Sequence, residues 1–205
     1  MSADVHVIAT SSLGDHSYLA TDGQSAVVVD PQRDVDRVLS LAGRTGVRVT
    51  HVVETHLHND YVSGGLELAR LTGAHYGVAA ADQAPFPHLP LSDGDVVEVS
   101  PVLRLRALAT PGHTFHHLSY VLEHREAVEG VFTGGSLLFG TTGRTDLLGA
   151  EHAATLARAS STPPCGGFPP CCPAAPRSGR PTVSAASARP PRPPATAPPS
   201  SASGR

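Results

Sequence analysis

The stretch Thr55-His56-Leu57-His58-Asn59-Asp60-Tyr61, continued by Val62-Ser63-Gly64-Gly65, decides the reading of this chain. Before it runs Val47-Arg48-Val49-Thr50-His51-Val52-Val53-Glu54, a β-branched, apolar segment that reads as a buried strand. After it, Gly65-Leu66-Glu67-Leu68-Ala69-Arg70-Leu71 carries apolar residues at helical spacing. The histidines therefore sit where a strand gives way to a helix. Residues two apart on an extended segment point to one side, so the two imidazoles can face one ion. Neutral imidazole is the commonest nitrogen ligand for transition metals. Asp60 takes the next matching position.

Outward from this loop, the totals narrow the options. The length of 205 residues suits one domain, or one domain and a tail. A net charge of −3 gives no reason to expect a nucleic-acid partner. Every basic residue is Arg, and twelve histidines are many for this length. No apolar run is long enough to span a bilayer, and the N-terminus lacks a basic region followed by an apolar core. A cytoplasmic protein without a membrane partner is the expectation. Cys165, Cys171 and Cys172 lie far from the histidine loop and suggest neither a disulfide framework nor a zinc knuckle.

Along the chain, Val5–Ala9, Ser17–Ala20 and Ser25–Asp30 read as strands, the last stopped by Pro31. Thr21-Asp22-Gly23-Gln24 joins the second and third as a hairpin. A helix is expected from Asp34 to about Thr45, with Val35, Val38, Leu39 and Ala42 on one face and Gly46 as its stop. Ala74–Val78 is a further strand, and residues 79–95, with Pro85, Pro87 and Pro90, read as loop. Strands follow at Asp95–Val99, Leu103–Leu108, Leu118–Leu122 and Ala127–Phe132, and a helix at Ala150–Ala159. The alternation in Leu103–Leu108 predicts a half-buried edge strand. Strands, then strand–helix alternation, then strands again imply an α/β sandwich of two sheets with helices outside.

At Ser160 the composition changes. Residues 160–205 hold thirteen of the nineteen prolines, five arginines and no acid. Residues 1–159 carry all eighteen acids against ten arginines and form the expected domain. The tail lacks apolar surface to offset its ordering entropy and reads as disordered. With Phe168 its one aromatic residue, solvated disorder is a better reading than a nucleic-acid arm.

The motif residues resemble a known family. Thr55-His56-Leu57-His58-Asn59-Asp60 is similar to the His-x-His-x-Asp-His signature of the metallo-β-lactamase superfamily. Thr110-Pro111-Gly112-His113-Thr114 resembles that superfamily's next metal-binding segment. Thr133-Gly134-Gly135-Ser136-Leu137-Leu138-Phe139, with Gly143-Arg144-Thr145-Asp146-Leu147, resembles the segment that carries a bridging aspartate. The Gly-Arg-Thr-Asp piece and the Asn-Asp-Tyr variant are closest to the persulfide dioxygenase-like branch, related to glyoxalase II. The likeness covers roughly residues 5–155.

The resemblance implies an αββα sandwich, incomplete at its C-terminus, with a metal held between the sheets. Its persulfide dioxygenase members use one Fe(II) to oxidise a thiol persulfide with O₂, giving sulfite and free thiol. Its glyoxalase-type members use zinc to hydrolyse a thioester. By motif, His56, His58 and His113 are expected metal ligands. Asp60 either joins the metal shell, orients a histidine, or caps the following helix. The expected partner is a small thiol persulfide or, alternatively, a thioester; a further alternative is a non-catalytic remnant. Oligomeric state stays open.

Three departures shape the expectation. Tyr61 stands where a second-metal histidine would be, which argues against a two-zinc centre. Gly135 stands where the carboxylate would be. No late histidine follows His152. Permitted codons for Pro181–Arg189, read one base earlier, can spell Thr-His-Gly-Val-Gly-Ser-Phe-Cys-Ser, similar to the family's late His-Gly segment. A frameshift near Ser160 is therefore a hypothesis that the coding DNA decides: without the required bases it fails. If it holds, low stability and weak turnover are expected. Of the other residues, His116 and His117 read as surface residues at a strand start. Arg144 and Asp146 read as a salt bridge, and Gly64 and Gly65 as close strand–helix packing.

Overall fold

The structure, a computed structural model, describes residues 2–10, 15–58, 61–138, 141, 142, 145, 146 and 148–161. Asp60, Arg144, the cysteines and the Pro-rich tail lie outside them.

Six strands form the first sheet: β1 (Asp4–Thr10), β2 (Asp15–Thr21), β3 (Ser25–Val29), β4 (Arg48–Val53), β5 (His75–Ala79) and β6 (Leu89–Leu91), in that spatial order. The first three pair antiparallel, and β3 through β6 pair parallel. The helices α1 (Asp36–Thr45) and α2 (Gly65–Thr72) make the crossovers from β3 to β4 and from β4 to β5, and a short 3-10 turn at Ala80–Asp82 lies in the connection from β5 to β6. Residues of β3 alternate between two apolar clusters. Ala26 and Val28 pack with Val38, Ala42 and Leu68 beneath the helices; Val27 and Val29 face the second sheet. Burial on both faces explains why β3 is apolar from Ala26 to Val29 and ends in three valines.

The second sheet has the order β10-β9-β8-β7, formed by β7 (Val96–Glu98), β8 (Leu103–Ala109), β9 (Leu118–His124) and β10 (Ala127–Phe132). Leu103, Leu105, Ala107, Tyr120, Leu122 and Phe132 fill the space between the sheets. A two-stranded ribbon follows, β11 (Leu137–Leu138) with β12 (Thr141–Thr142), and then α3 (Ala150–Ser161). Among the described residues no helix is long and apolar enough to cross a membrane.

Two expectations are corrected. Leu103–Ala109 is not an edge strand, since β7 and β9 flank it. Its alternation comes from Arg104 and Arg106, which both pair with Glu123 of β9 on the outer face. Residues 79–95 are not all loop, because Leu89–Leu91 adds an edge strand around Pro90. An edge is where proline's missing N–H is tolerated.

His51 of β4 and His75 of β5 are register partners, with ring centres 5.2 Å apart. Burial, reinforced by His75, pushes His51 down to about 4 from an ordinary value of 6.5. Between those values the unfolded chain binds more protons than the folded one, so stability falls as pH drops through this window and is fully retained above it. Urea midpoints at pH 7 and pH 5 are expected to differ less in His51→Gln than in the natural chain; an equal difference would exclude this source.

Candidate metal centre

The site is built where β3 and β4 end side by side. Asp30, the residue after β3, has a positive φ of 50°, uncommon outside glycine but tolerated by aspartate. This conformation accompanies a two-point grip on Thr55: Asp30 Oδ1 accepts from the Thr55 amide at 2.7 Å, and Oδ2 from its hydroxyl at 2.8 Å. The Thr55 hydroxyl has one proton, and it goes to Asp30. At 3.0 Å from His56 Nδ1 it must therefore accept from that nitrogen. His56 is fixed as the Nδ1–H tautomer, with its lone pair on Nε2.

His58 is oriented by a different set. Its Nε2 lies 3.2 Å from Asp30 Oδ1, 3.1 Å from Glu54 Oε2 and 2.8 Å from Tyr61 Oη. Tyr61 donates its own proton to the Asp30 carbonyl at 3.3 Å, so Nε2 of His58 faces acceptors and carries hydrogen. That leaves the lone pair of a neutral ring on Nδ1. Glu54 is 1% exposed. Its Oε1 accepts from Ser63 Oγ in a short bond and from Tyr76 Oη at 3.2 Å. Burial pushes the Glu54 carboxyl up, an effect that hydrogen bonding to His58 only partly offsets. Burial also acts on Asp30, but the His58 and His56 imidazoles and the Thr55 amide outweigh it and hold this carboxyl below its usual range.

The opposite wall comes from the second sheet. The Leu118 amide donates to the Thr55 carbonyl at 2.7 Å, and Tyr120 Oη donates to the Glu54 carbonyl at 2.8 Å. These bonds dock the loop after β8 against the histidine loop. His113 comes to rest edge-on to His56, with ring centres 4.8 Å apart, while His56 and His58 are 4.0 Å apart. His117 stacks on His56 at 5.2 Å, its Nδ1 2.9 Å from Thr110 Oγ1. Burial, then the neighbouring imidazoles, holds His117 well below 6.5 and therefore neutral. Its Nε2 is buried and has no hydrogen-bond partner among the described residues.

Of the four residues expected to hold metal, three converge here: His56, His58 and His113. Asp60 lies outside the described residues. The helix cap offered as its alternative role belongs to Gly64, with Ser63 Oγ accepting from the Gly65 amide at 2.9 Å. His117, read from sequence as a surface residue, is 1% exposed and part of the site. His116 is exposed and pairs with Asp82 at 2.8 Å. Asp30 and Glu54 were not singled out from sequence. An acid ending each of two valine-rich strands was the available signal, because burying a carboxylate is costly unless it is used. Gly135, in the carboxylate's place, packs on His113: a Cβ built there would meet Cδ2 at 2.3 Å.

The arrangement fits a metal. With metal–nitrogen bonds of about 2.1 Å, two imidazoles on one ion have ring centres roughly 4.5–6 Å apart; His56 and His113 meet this at 4.8 Å, while His56 and His58, at 4.0 Å, sit closer than it and would have to part slightly around an ion. Hydroxyl and carboxylate groups behind His56 and His58 set their tautomers, and a buried ring nitrogen of His117 borders the same space. Asp30, Glu54 and His58 also place ligand-type atoms within 4.8 Å of one another. The proton on His58 Nε2 makes that trio a hydrogen-bonded support.

The comparisons agree with this architecture. A family model of the metallo-beta-lactamase superfamily matches residues 13–203. Hydroxyacylglutathione hydrolase of Methylobacillus flagellatus is 34% identical over 116 residues, 56% of this chain and 44% of its own length. The chain spans about half the length of the curated relatives it matches. The crystal structure of ETHE1 from Myxococcus xanthus aligns with a TM-score of 0.66 at 32% identity, over 77% of this chain and 67% of that one. A metallo-beta-lactamase from Staphylococcus aureus aligns at 0.71 and 26% identity, over 77% and 50%. With a two-layer sandwich, a histidine cluster at its rim and a family match across most of its length, this chain belongs to the metallo-beta-lactamase superfamily, on the side of hydroxyacylglutathione hydrolase and ETHE1.

Proposed function

We propose that the chain is a mononuclear, metal-dependent enzyme acting on the sulfur of a small thiol derivative, with persulfide oxidation as the leading reading. The observation carrying it is the edge-on approach of His56 and His113, with the tautomer of His56 set by Thr55 and Asp30. His56, His58 and His113 would hold the ion, and Asp60 would complete or support that set. When bound, iron supplies the redox chemistry that lets O₂ react with a persulfide sulfur; zinc would instead supply Lewis-acid chemistry for hydrolysis.

Two features favour a single ion. Tyr61 offers a phenol where a second metal would need an imidazole, and that phenol is hydrogen-bonded to His58 and the Asp30 carbonyl. Gly135 contributes no carboxylate, and His113 fills the space beside it. Tyr61 also lines a groove of about 420 Å³ with Thr10, Gln32, Arg33, Asp34 and Val62. That size suits a small ligand. The groove positions the thiol carrier beside the histidine loop; the Asp30–His58–Glu54–Tyr61 cluster holds a proton at His58 Nε2 and fixes the ring.

The second reading, thioester hydrolysis with zinc, is favoured by the identity to hydroxyacylglutathione hydrolase. Iron-loaded and zinc-loaded protein, assayed for O₂ uptake with a low-molecular-weight persulfide and for thioester cleavage, separates the two. The leading reading expects persulfide-dependent O₂ uptake, with sulfite formed, in the iron form only. Thioester cleavage by the zinc form without that uptake would replace it with the second.

A further inference from the structure

We infer that His51 and His75, juxtaposed across β4 and β5, form a second metal site that takes a borderline transition-metal ion such as Zn²⁺, Ni²⁺ or Cu²⁺. It is separate from the cluster at the strand ends, since His51 lies within β4, paired with His75, whereas His56 follows the end of that strand.

Three observations carry the site. First, the two residues are register partners on adjacent parallel strands, so their side chains leave the same face; the rings are 5.2 Å apart and inclined by 33°. That separation is within the range for two imidazoles on one ion. Second, His51 is pre-oriented. Thr50 Oγ1 donates to the Ala26 carbonyl at 3.3 Å and lies 3.0 Å from His51 Nδ1. The hydroxyl proton is thus used, Nδ1 donates to the oxygen, and Nε2 carries the lone pair. The same threonine–histidine device orients His56. Third, neither ring is paired with a carboxylate among the described residues, and His75 is exposed. Two imidazoles with water access at His75 leave coordination positions for solvent.

Donor chemistry sets the ligand class. A pair of imidazoles suits zinc, nickel and copper, with copper the tightest, and does not suit magnesium or calcium, which require oxygen ligands. Bound metal would bridge β4 to β5 and stabilise the folded chain by mass action.

The test is a Zn²⁺ titration of the full chain, read by long-range ¹H–¹⁵N spectra of the histidine rings and by the melting temperature. The natural chain is expected to show perturbed His51 and His75 ring nitrogens and a melting temperature that rises with zinc. His75→Ala, at an exposed position, is expected to lose one class of zinc site while the His56 resonances still respond. Thr50→Val is expected to weaken that class about tenfold, as loss of an orienting partner does. Magnesium is expected to leave both rings unchanged. Equal zinc stoichiometry and affinity in His75→Ala, or no response of either ring in the natural chain, would overturn the assignment. Neither outcome depends on the reading of the primary site.

Discussion

Asp30→Asn is expected to cost about 3 kcal/mol of stability and to lower metal affinity roughly 10- to 100-fold. The side chain keeps its shape, and asparagine tolerates the positive φ found here. Its hydrogen-bonding character changes. Both Asp30 oxygens accept from Thr55, and Oδ1 also faces His58 Nε2. An amide must turn its NH₂ toward at least one donor, leaving buried groups unsatisfied. The Thr55 hydroxyl is then free to reorient, and the His56 tautomer is no longer imposed. Urea denaturation and chelator competition measure the two effects. A change in stability within about 0.5 kcal/mol, as at an ordinary surface site, together with unaltered affinity, would show that the relay does no orienting.

Gly64→Ala is the second large effect. A Cβ there would lie 2.3 Å from the Gln32 carbonyl oxygen and 2.6 Å from Val35 Cγ1. The oxygen belongs to backbone and cannot rotate aside. The Gly64 amide is itself bonded to the Pro31 carbonyl at 2.8 Å, which ties the start of α2 to the loop after β3. Separating these segments also disturbs Asp30 and the histidine loop between them. A loss of about 2–3 kcal/mol is expected, the upper range for overpacking. Gly43, inside α1 with open space around its Cα, is the control. There alanine is expected to stabilise by up to about 1 kcal/mol, through helix propensity alone. Equal urea midpoints for the two variants would contradict the close approach.

Local pattern made much of this fold readable before any coordinates. The valine run of β3 is apolar on both faces because helices cover one and the second sheet the other. The His56–His58 spacing at a strand-to-helix junction brings the two rings together, as the sequence suggested. What stayed hidden depends on contacts between distant segments. Nothing near Thr110 indicates that His117 will stack on His56, because that contact requires the sheets to be docked. Glu54 looks like a strand's polar end until Ser63, Tyr76 and His58 close around it. Leu103–Ala109 looks like an edge because its outer arginines are satisfied by Glu123 on the neighbouring strand. Pro90 masked β6 because proline is avoided in strands except at edges.

Stability and chemistry share one set of bonds here. The Leu118–Thr55 and Tyr120–Glu54 hydrogen bonds join the sheets at the backbone that bears the histidine cluster. Loosening the sandwich therefore spreads the imidazoles. Gly134 adds to this constraint. With φ of 48°, it lets the chain pass close to Thr55 and His117, where a Cβ would meet Thr55 Oγ1 at 2.3 Å.

X-ray absorption of protein carrying one equivalent of iron or zinc, compared with His56→Ala and His113→Ala, tests the central assignment most directly. The account predicts imidazole nitrogen scattering at about 2.1 Å in the natural chain. It also predicts one fewer imidazole, and metal released to a chelator more than about tenfold more readily, in each variant. Unchanged coordination and retention in both variants would place the ion elsewhere and contradict it.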